Sequence, residues 1–454
     1  MKKDSFCAAN QLLVILIFAW VSGVDGATDS QGWYQWHGPD RNGTSPDNSG
    51  WPLGWPPKEL WRTNVGFGVS APIIVKGRVY VMGWKDDRDF VHCFDVVGVS
   101  GKPSQIWMKC YACPPHSRKG TRFPNSYKGT MATPAMDVQA GCLYTLSCDG
   151  DLRCWETNSR TEPGKLKWAT NLFSDYDVTA GELDYGFFAS PLLYGDWVIV
   201  EVGDNKQGAI WAFGKVDGKV AWKSGNSGNR ANASPALVVV DGTPCVAAVT
   251  SDTCVLIRMD KGHEGESAIE HPWRSLYNES SPSPIVAGNK VLFTMCESGQ
   301  KRTQLLTINS LQKNDFTVKD FTKSFCTCTS TAVLHKGNLY FRFGKKARCF
   351  ELESGKMNWE SGDIFEENHP MGAETGNLLV TGDDKMIIWD GTKQGNLVLA
   401  EASRDSGWKE LTRLKGVFTK SEYEQGYPHV VFSEGKIVCR NMEGDMVCLS
   451  VGTN

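Results

Sequence analysis

The amino-acid sequence predicts an all-β protein, a β-propeller of eight four-stranded antiparallel blades. Two landmarks recur at intervals of about fifty residues and indicate this fold. One is Gly-Lys-x-x-Trp, at residues 164–168, 218–222 and 355–359. The other is a small residue and a proline ahead of an apolar strand, found at Ala71-Pro72, Thr133-Pro134, Ser190-Pro191, Ser234-Pro235 and Ser283-Pro284.

Each repeat contains the elements of one propeller blade. An apolar strand, a turn and a second strand follow the proline, as in IIVKGRVYVMG from Ile73. A third strand such as VHCFDV comes next, and a fourth carries the tryptophan. Four short strands joined by polar turns are typical of a blade rather than of a solenoid coil. The dipeptides Asp149-Gly150 and Glu443-Gly444 predict two-residue hairpin loops within two of these units.

The repeat landmarks predict eight blades closed by a strand from the N-terminus. The last unit leaves chain for only three strands, whereas residues 58–65 (KELWRTNV) form an orphan strand that carries Trp61. We expect that strand to complete the last blade and leave no open edge. The seventh unit is the least regular, so seven blades is the alternative. The units begin near residues 70, 132, 189, 233, 282, 329, 371 and 427.

The first residues have the pattern of a secretory signal. Two lysines precede a ten-residue apolar run at 12–21, and small residues surround Gly26 and Ala27. We therefore expect cleavage near Gly26 or Ala27 and a periplasmic or secreted protein. Because Cys7 precedes the apolar run, the signal is not that of a lipoprotein.

Three segments follow from these patterns, and composition excludes two kinds of partner. The segments are a signal peptide at 1–27, an extended segment at 28–57 that packs on the propeller, and a single propeller at 58–454. A net charge of −3 argues against nucleic acid. The apolar run is shorter than the roughly 20 residues of a membrane helix, so no membrane span is expected.

The repeat tryptophans are predicted to dock each blade on the next. A large flat side chain at one place per unit buries about 150–250 Å² against its neighbour. We interpret this role as structural rather than ligand-binding for Trp61, Trp107, Trp168, Trp222 and Trp359.

Cysteines recur at one repeat position, which indicates core packing. Cys93, Cys154, Cys349 and Cys448 all occupy the position held by Ala212 in the third unit. With Glu443-Gly444 as the loop, Cys439 would lie directly opposite Cys448 at about 4.5 Å between Cα atoms, which allows either a disulfide or a packed thiol pair.

A second cysteine motif, Cys110-x-x-Cys113, has the spacing of a redox or metal site. It lacks the His that follows directly in haem attachment, and no second Cys-x-x-Cys completes a zinc site. A local disulfide or plain loop cysteines fit it better than a metal, and the sequence predicts no metal site.

Polar residues that could bind a ligand concentrate between blades. Residues 109–130 carry basic side chains without an acid, and residues 174–186 carry acids without a base. The two loops lie at consecutive junctions, so they either pair with each other or border a polar pocket. Residues ahead of inner strands would face the channel. The candidates are Arg122, Asp177, Glu182 and Asp184 at the rim, and Asn229, Arg230, His369 and His429 toward the channel.

These repeats resemble the pyrroloquinoline-quinone-like propeller family. The match is clearest over residues 210–222, and WYQWHGPDRNGTS at 33–45 is similar to the segment that precedes such propellers in exported bacterial proteins. The resemblance covers essentially the whole mature chain. It implies a propeller whose members either bind proteins as envelope scaffolds or oxidise alcohols with the quinone and Ca²⁺.

Departures from the dehydrogenase pattern favour the binding role. The dehydrogenases use a disulfide between adjacent cysteines, and they hold Ca²⁺ through Glu, Asn and Asp. This sequence has no Cys-Cys pair and no carboxylate cluster with calcium-loop spacing. We expect a non-catalytic exported propeller that binds a protein or envelope polymer through its inter-blade loops. The alternative is an oxidoreductase that uses pyrroloquinoline quinone and calcium.

Overall fold

Eight four-stranded antiparallel sheets make up the part of the chain that the computed structural model describes. These sheets are the blades of an eight-bladed β-propeller, as the sequence predicts, and the alternative of seven is wrong. The described residues belong to one compact unit, Gln31–Asn454. They are 32–114, 129–178, 186–226, 228–274, 280–297, 300–322, 324–327, 329–365, 376–391, 394–418 and 427–452.

The chain enters each blade at its innermost strand and leaves at its outermost. A first strand, β1 (Lys58–Asn64), precedes blade one and belongs to blade eight. The strands of blades one to four are β2 (Ile73–Val75), β3 (Arg78–Lys85), β4 (Arg88–Val99), β5 (Lys102–Ala112); β6 (Ala135–Asp137), β7 (Cys142–Leu146), β8 (Asp151–Glu156), β9 (Lys165–Asn171); β10 (Leu192–Tyr194), β11 (Trp197–Asp204), β12 (Gly208–Gly214), β13 (Val220–Lys223); β14 (Ala236–Val240), β15 (Thr243–Val249), β16 (Thr253–Arg258) and β17 (Ser267–Pro272).

The same order continues to the C-terminus, with one short 3-10 helix, Leu311–Lys313, inside blade five. The strands of blades five to eight are β18 (Ile285–Ala287), β19 (Lys290–Glu297), β20 (Gln300–Ser310), β21 (Asp315–Asp320); β22 (Val333–His335), β23 (Asn338–Phe343), β24 (Lys346–Glu351), β25 (Met357–Glu360); β26 (Asn377–Val380), β27 (Lys385–Trp389), β28 (Leu397–Glu401), β29 (Glu410–Leu414); β30 (Val431–Ser433), β31 (Lys436–Arg440) and β32 (Asp445–Ser450).

The N-terminal strand closes the ring. Strand β1 pairs antiparallel with β32, and Trp61 lies opposite Cys448. Inner strands of neighbouring blades lie side by side, and the first and last of them, β2 and β30, also meet. The predicted closing strand is therefore confirmed, and the outer edge of blade eight is paired rather than open.

In five of the blades, the repeat tryptophan and a small residue opposite it form a row across the sheet. Strand three places a small side chain opposite the tryptophan of strand four, and all five small residues are fully buried. The pairs are Cys93 with Trp107, Cys154 with Trp168, Ala212 with Trp222, Cys349 with Trp359, and Cys448 with Trp61.

Each of these tryptophans also reaches the next blade. The Trp168 indole donates to the carbonyl of Lys215 at 2.9 Å, and Trp359 donates to that of Ser403 at 2.8 Å. A Cβ on Gly164 would lie 2.7 Å from the Trp107 ring, so the following blade approaches at a position that needs glycine. The row therefore links the core of one blade to a turn of the next.

The hairpin loops differ from the prediction by one residue. Arg440 pairs with Met446, and the Asn441 amide donates to the Asp445 carbonyl, which leaves a three-residue loop that ends at Gly444 with φ 93°. The loop at Gly150 is built in the same way, with Leu146 opposite Leu152. A three-residue loop with glycine in the left-handed region is the next common hairpin connection.

This register overturns the predicted pairing of Cys439 and Cys448. Cys439 lies opposite Val447, and Cys448 lies opposite Val438. The two cysteines are therefore one step apart in register, and their side chains point to opposite faces of the sheet. Neither forms a disulfide in the structure.

Candidate functional site

The two faces of the propeller differ in what they carry. The connections from the outer strand of one blade to the inner strand of the next begin and end on one face, here called the inter-blade face. They span residues 65–72, 113–134, 172–191, 224–235, 273–284, 321–332, 361–376 and 415–430. Short turns such as 76–77 and 434–435 lie on the opposite face.

A segment of the chain's own N-terminus, residues 32–49, fills the centre of the ring. This channel segment contacts the inner strands, or the residues directly ahead of them, in seven of the eight blades, which only a segment on the axis can do. Its bonds include Trp33 with Ile74, Tyr34 with Met136, Arg41 with Ser190 and Pro191, Trp36 with Ser283, and Ser45 with Val380. Gly43 packs against Val333, and the Trp36 ring lies 4.3 Å from that of His429.

The channel segment enters and leaves at the opposite face. Gly32 lies against the end of β2, and a Cβ there would be 2.3 Å from the Ile74 carbonyl oxygen. At the other end, the Ser49 amide and hydroxyl both donate to Asp383 at 2.7 Å. Between these points the chain turns back near His37, whose carbonyl accepts from Gly43 at 2.8 Å. The opposite end of the channel is thus closed by the protein itself.

The channel segment gives stability a defined dependence on pH. Burial lowers the pKa of His37 to about 4, against about 6.5 for an exposed imidazole. Between those values the unfolded chain binds more protons, so the free energy of unfolding falls as pH is lowered from about 6.5 towards about 4. We expect His37→Gln to reduce the loss of stability between pH 7 and pH 5 by about 1–2 kcal/mol, measured by urea unfolding.

His263, on an exposed turn, provides the control for this prediction. The variant His263→Gln, measured in the same way, controls for the loss of a histidine at the surface. An unchanged pH dependence in His37→Gln would show that this imidazole is not held neutral by the fold.

The structure describes four of the predicted site residues, and they lie in three different places. His429 lies in the channel, but its neighbours are Trp36 and His37 of the channel segment. Asp177 is exposed on the inter-blade face, where its carbonyl accepts from the Gln207 amide at 3.5 Å. Asn229 and Arg230 lie together ahead of β14. The candidates Arg122, Glu182, Asp184 and His369 fall outside the described residues.

Unpartnered polar atoms concentrate at the junction of blades three and four. In the described chain, six buried side-chain atoms without a hydrogen-bond partner belong to three residues there. They are Oε2 of Glu201, both amide atoms of Asn226 and the three guanidinium nitrogens of Arg230. Buried polar groups are almost always paired, so unpaired ones indicate a missing partner. We call Glu201, Asn226 and Arg230 the junction site.

Local structure explains how these side chains are held. Glu201 is on β11, and its Oε1 accepts the backbone amide of Ala231 at 2.9 Å, which ties blade three to blade four. The Arg230 guanidinium lies over the Phe187 ring at 4.1 Å. Gly203 has a φ of 62°, and a Cβ there would be 2.0 Å from Arg230 Cγ, so glycine is needed for the arginine to pass.

Burial sets the charges of the junction site. Burial raises the pKa of Glu201 well above the usual value, against the opposing effects of the Ala231 amide and Arg230. Burial also lowers the pKa of Arg230 to about 9, with Glu201 and Asp204 opposing the shift. At neutral pH the arginine is therefore a cation beside a carboxyl group that favours its neutral form. The guanidinium is therefore a hydrogen-bond donor for an incoming anion.

Two residues of the junction site, Glu201 and Asn226, were not predicted, although the sequence indicates one of them. Glu201 interrupts the otherwise apolar run WVIVEV of β11, and a carboxyl group inside a buried strand indicates a function or a specific partner. Asn226 carries no such signal, because amides are common in loops.

The described residues do not fit the quinone and calcium chemistry that the family resemblance implies. Among them, no three His, Cys, Asp or Glu side chains come together as metal ligands. Trp36, His37 and Arg41 fill the centre of the channel and bond to the protein itself. We therefore derive no catalytic step from that group.

The fold and the repeats define an eight-bladed propeller of the pyrroloquinoline-quinone-like repeat class. The family model described as outer membrane protein assembly factor BamB matches residues 122–361, just over half of the chain. The chain belongs to this family. No curated protein matches it.

Solved structures with the same fold include proteins of different functions. BamB from Moraxella catarrhalis is 12% identical with a TM-score of 0.54, over 87% of this chain and 99% of that chain. The quinohemoprotein alcohol dehydrogenase ADHIIG from Pseudomonas putida HK5 is 10% identical with a TM-score of 0.58, over 94% and 81%. Sqt1 from Chaetomium thermophilum is 9% identical with a TM-score of 0.53, over 88% and 99%. At these identities the likeness concerns the fold alone.

No helix in the described ranges has the length and apolar character needed to cross a membrane.

Proposed function

We propose that this protein is a non-catalytic, exported β-propeller that binds a protein partner through its inter-blade face. The observation that carries the proposal is the junction site, where buried donors and acceptors lack partners within the described chain. The family match supports a role in assembly at the bacterial envelope, since its description names an outer-membrane assembly factor. The N-terminal signal pattern supports export.

The junction site favours a carboxylate on the partner. A guanidinium presents two parallel donors that match a carboxylate, and such charge-assisted bonds are stronger than neutral ones. Arg230 is only 5% exposed, so a partner side chain must insert rather than lie on the surface. Inserted, desolvated contacts of this kind dominate the energy of many interfaces.

The position of the channel segment also supports binding of the partner at the inter-blade face. The channel segment occupies the axis from the opposite face, and its bonds to Asp383 and to the start of blade three hold it there. A partner that uses the channel mouth therefore approaches from the inter-blade face. The opposite face also carries exposed apolar residues such as Val216, at 81% exposure, so the two faces need a direct comparison.

Site-specific photo-crosslinking in the intact cell envelope makes that comparison. A photoreactive residue replaces Lys206, exposed on the inter-blade face of blade three, or Val216, exposed on the opposite face of the same blade. We expect a discrete protein adduct from position 206 and none from position 216. Adducts from position 216 alone, or from neither position, would contradict the proposal.

Substitution of Arg230 tests the role of the junction site. Removing a charge-assisted bond costs about 1.5–3 kcal/mol, so Arg230→Gln should reduce the adduct from position 206 about tenfold or more. Arg78→Gln is the matched control, because Arg78 binds the Thr157 carbonyl at 3.0 Å between blades one and two, away from this site. Equal yields in both variants would remove Arg230 from the interface.

The oxidoreductase alternative has its own test. Pyrroloquinoline quinone and millimolar Ca²⁺ are added to the purified protein while absorbance and melting temperature are followed. We expect neither to change. A clear shift in either would favour the enzyme over the binding protein.

A further inference from the structure

Two cysteines from neighbouring blades meet on the inter-blade face. Cys113 follows β5 at the end of blade one, and Cys148 lies in the loop between β7 and β8 of blade two. Both are buried, at 0% and 5% exposure, in one apolar cluster with Met131 and Met442. The Cys113 thiol lies beside the Cys148 thiol in this cluster, and the two sulfurs are not bonded.

Backbone contacts hold both cysteines in place. The Cys113 amide donates to the Asp87 carbonyl at 2.9 Å, and the Cys113 carbonyl accepts the Trp84 indole at 2.9 Å. The Cys148 carbonyl accepts the Phe187 amide at 3.0 Å. The backbone at each cysteine is therefore fixed by contacts that do not involve its thiol.

The other cysteine of the Cys-x-x-Cys motif, Cys110, is not part of this apolar cluster. Cys110 is exposed on β5, where its sulfur accepts from the Arg88 guanidinium at 3.3 Å. The structure thus gives Cys113 a partner in blade two rather than the neighbour that the motif would offer it. The hydrogen bond to Cys148, together with burial, raises the pKa of Cys113, so its thiol stays protonated in the folded protein.

We propose that Cys113 and Cys148 form a disulfide that staples blade one to blade two. The bond would anchor the start of the connection at 113–134, which contains the predicted rim residue Arg122. This inference rests on the proposed export, because disulfides persist in oxidising compartments.

The oxidation proceeds by exchange with an external disulfide while the chain folds. The thiolate of one cysteine attacks a sulfur of the oxidant and expels one oxidant thiolate. The thiolate of the second cysteine then attacks the protein sulfur of this mixed disulfide and expels the other. The protein loses two protons and two electrons, and the oxidant is reduced to two thiols. Reaction during folding avoids the protonated, buried state of the finished protein.

Peptide mapping after refolding tests the proposal without reference to any partner. The full chain is refolded in a buffer of oxidised and reduced glutathione, alkylated, and digested with chymotrypsin without reduction. Cleavage after Tyr111 separates Cys110 from Cys113, and cleavage after Tyr144 separates Cys142 from Cys148. We expect a linked peptide that contains Cys113 and Cys148, about 2 Da lighter than the sum of its two thiol forms.

Single substitutions distinguish the disulfide from adventitious oxidation. Cys148→Ala should abolish the linked peptide, whereas Cys245→Ala, at a buried cysteine of blade four, should retain it. Alkylation of both thiols, or a link from Cys113 to any other cysteine, would overturn the proposal. Because the assay uses only the purified chain, its failure would leave partner binding at the junction site unaffected.

Discussion

Replacing Trp61 with alanine is expected to lower the free energy of unfolding by about 3–5 kcal/mol, the range for removal of a buried aromatic side chain. Trp61 is fully buried on β1, the strand that closes the ring. Its indole donates to the Val96 carbonyl of blade one at 3.0 Å, and its ring packs beside Phe94 at 5.6 Å. The variant loses apolar packing and the indole donor, so that the Cys448 thiol, at 3.4 Å, is the side-chain donor that remains to this carbonyl.

Urea unfolding followed by tryptophan fluorescence and circular dichroism measures this effect. Trp51→Ala is the control, since Trp51 is 37% exposed and lies in the same N-terminal region. We expect the control to cost less than about 1 kcal/mol, as for a substitution near the surface. Equal losses in the two variants would mean that closure by β1 contributes little to stability.

Replacing Arg440 with leucine is expected to destabilise the protein by about 3 kcal/mol or more. Arg440 is fully buried at the end of β31 in blade eight. Its guanidinium donates to three carbonyls of the first connection and blade one: Ser70 at 2.9 Å, Met82 at 2.6 Å and Gly66 at 2.9 Å. Leucine removes the cost of burying a charge but leaves these carbonyls unpaired, at about 1–3 kcal/mol each.

The control for Arg440 is an arginine that makes a similar link in a less buried place. Arg78 of blade one donates to the Thr157 carbonyl of blade two and is only partly buried. Arg78→Leu should cost about 1 kcal/mol, because water can replace the lost donor. A neutral Arg440→Leu variant would indicate that apolar packing can substitute for this polar link, as some buried ion pairs allow.

The sequence predicted the architecture well because the same repeat unit recurs eight times along the chain. The inner strands β2, β6 and β10 begin within a few residues of the expected positions, and Trp61 pairs with β32 as expected. Small residues opposite the tryptophans follow from the same period. Each of these features depends on local spacing, which a single sequence displays directly.

The length of the hairpin turns and the path of the channel segment were not predicted. The turn at Gly444 holds three residues rather than two, and this one-residue difference moved Cys439 out of line with Cys448. Flanking strand twist, rather than the Glu-Gly pair alone, decides that length. The path of the channel segment was also missed, because its partners come from seven blades and its own residues show no period.

The candidate site was only partly accessible to sequence reasoning. Arg230 and Asn229 precede β14, as the repeat spacing predicts, but their role as ligand residues toward the channel stays a prediction. What distinguishes Arg230 is the burial of an unpaired guanidinium beside Glu201, and that is a property of the assembled junction. Several other candidates, Arg122 and Glu182 among them, stay predictions.

The channel segment and β1 together impose an order on folding. Both precede the blades in the chain, yet the pairs they form, such as β1 with β32 and Ser45 with Val380, join residues hundreds of positions apart. A chain that emerges from its N-terminus cannot complete these contacts until its last strands are released. The residues that make these late contacts must therefore remain unpaired until the last blades have been synthesised. Such non-local topologies fold slowly and expose unpaired strand edges until the ring closes.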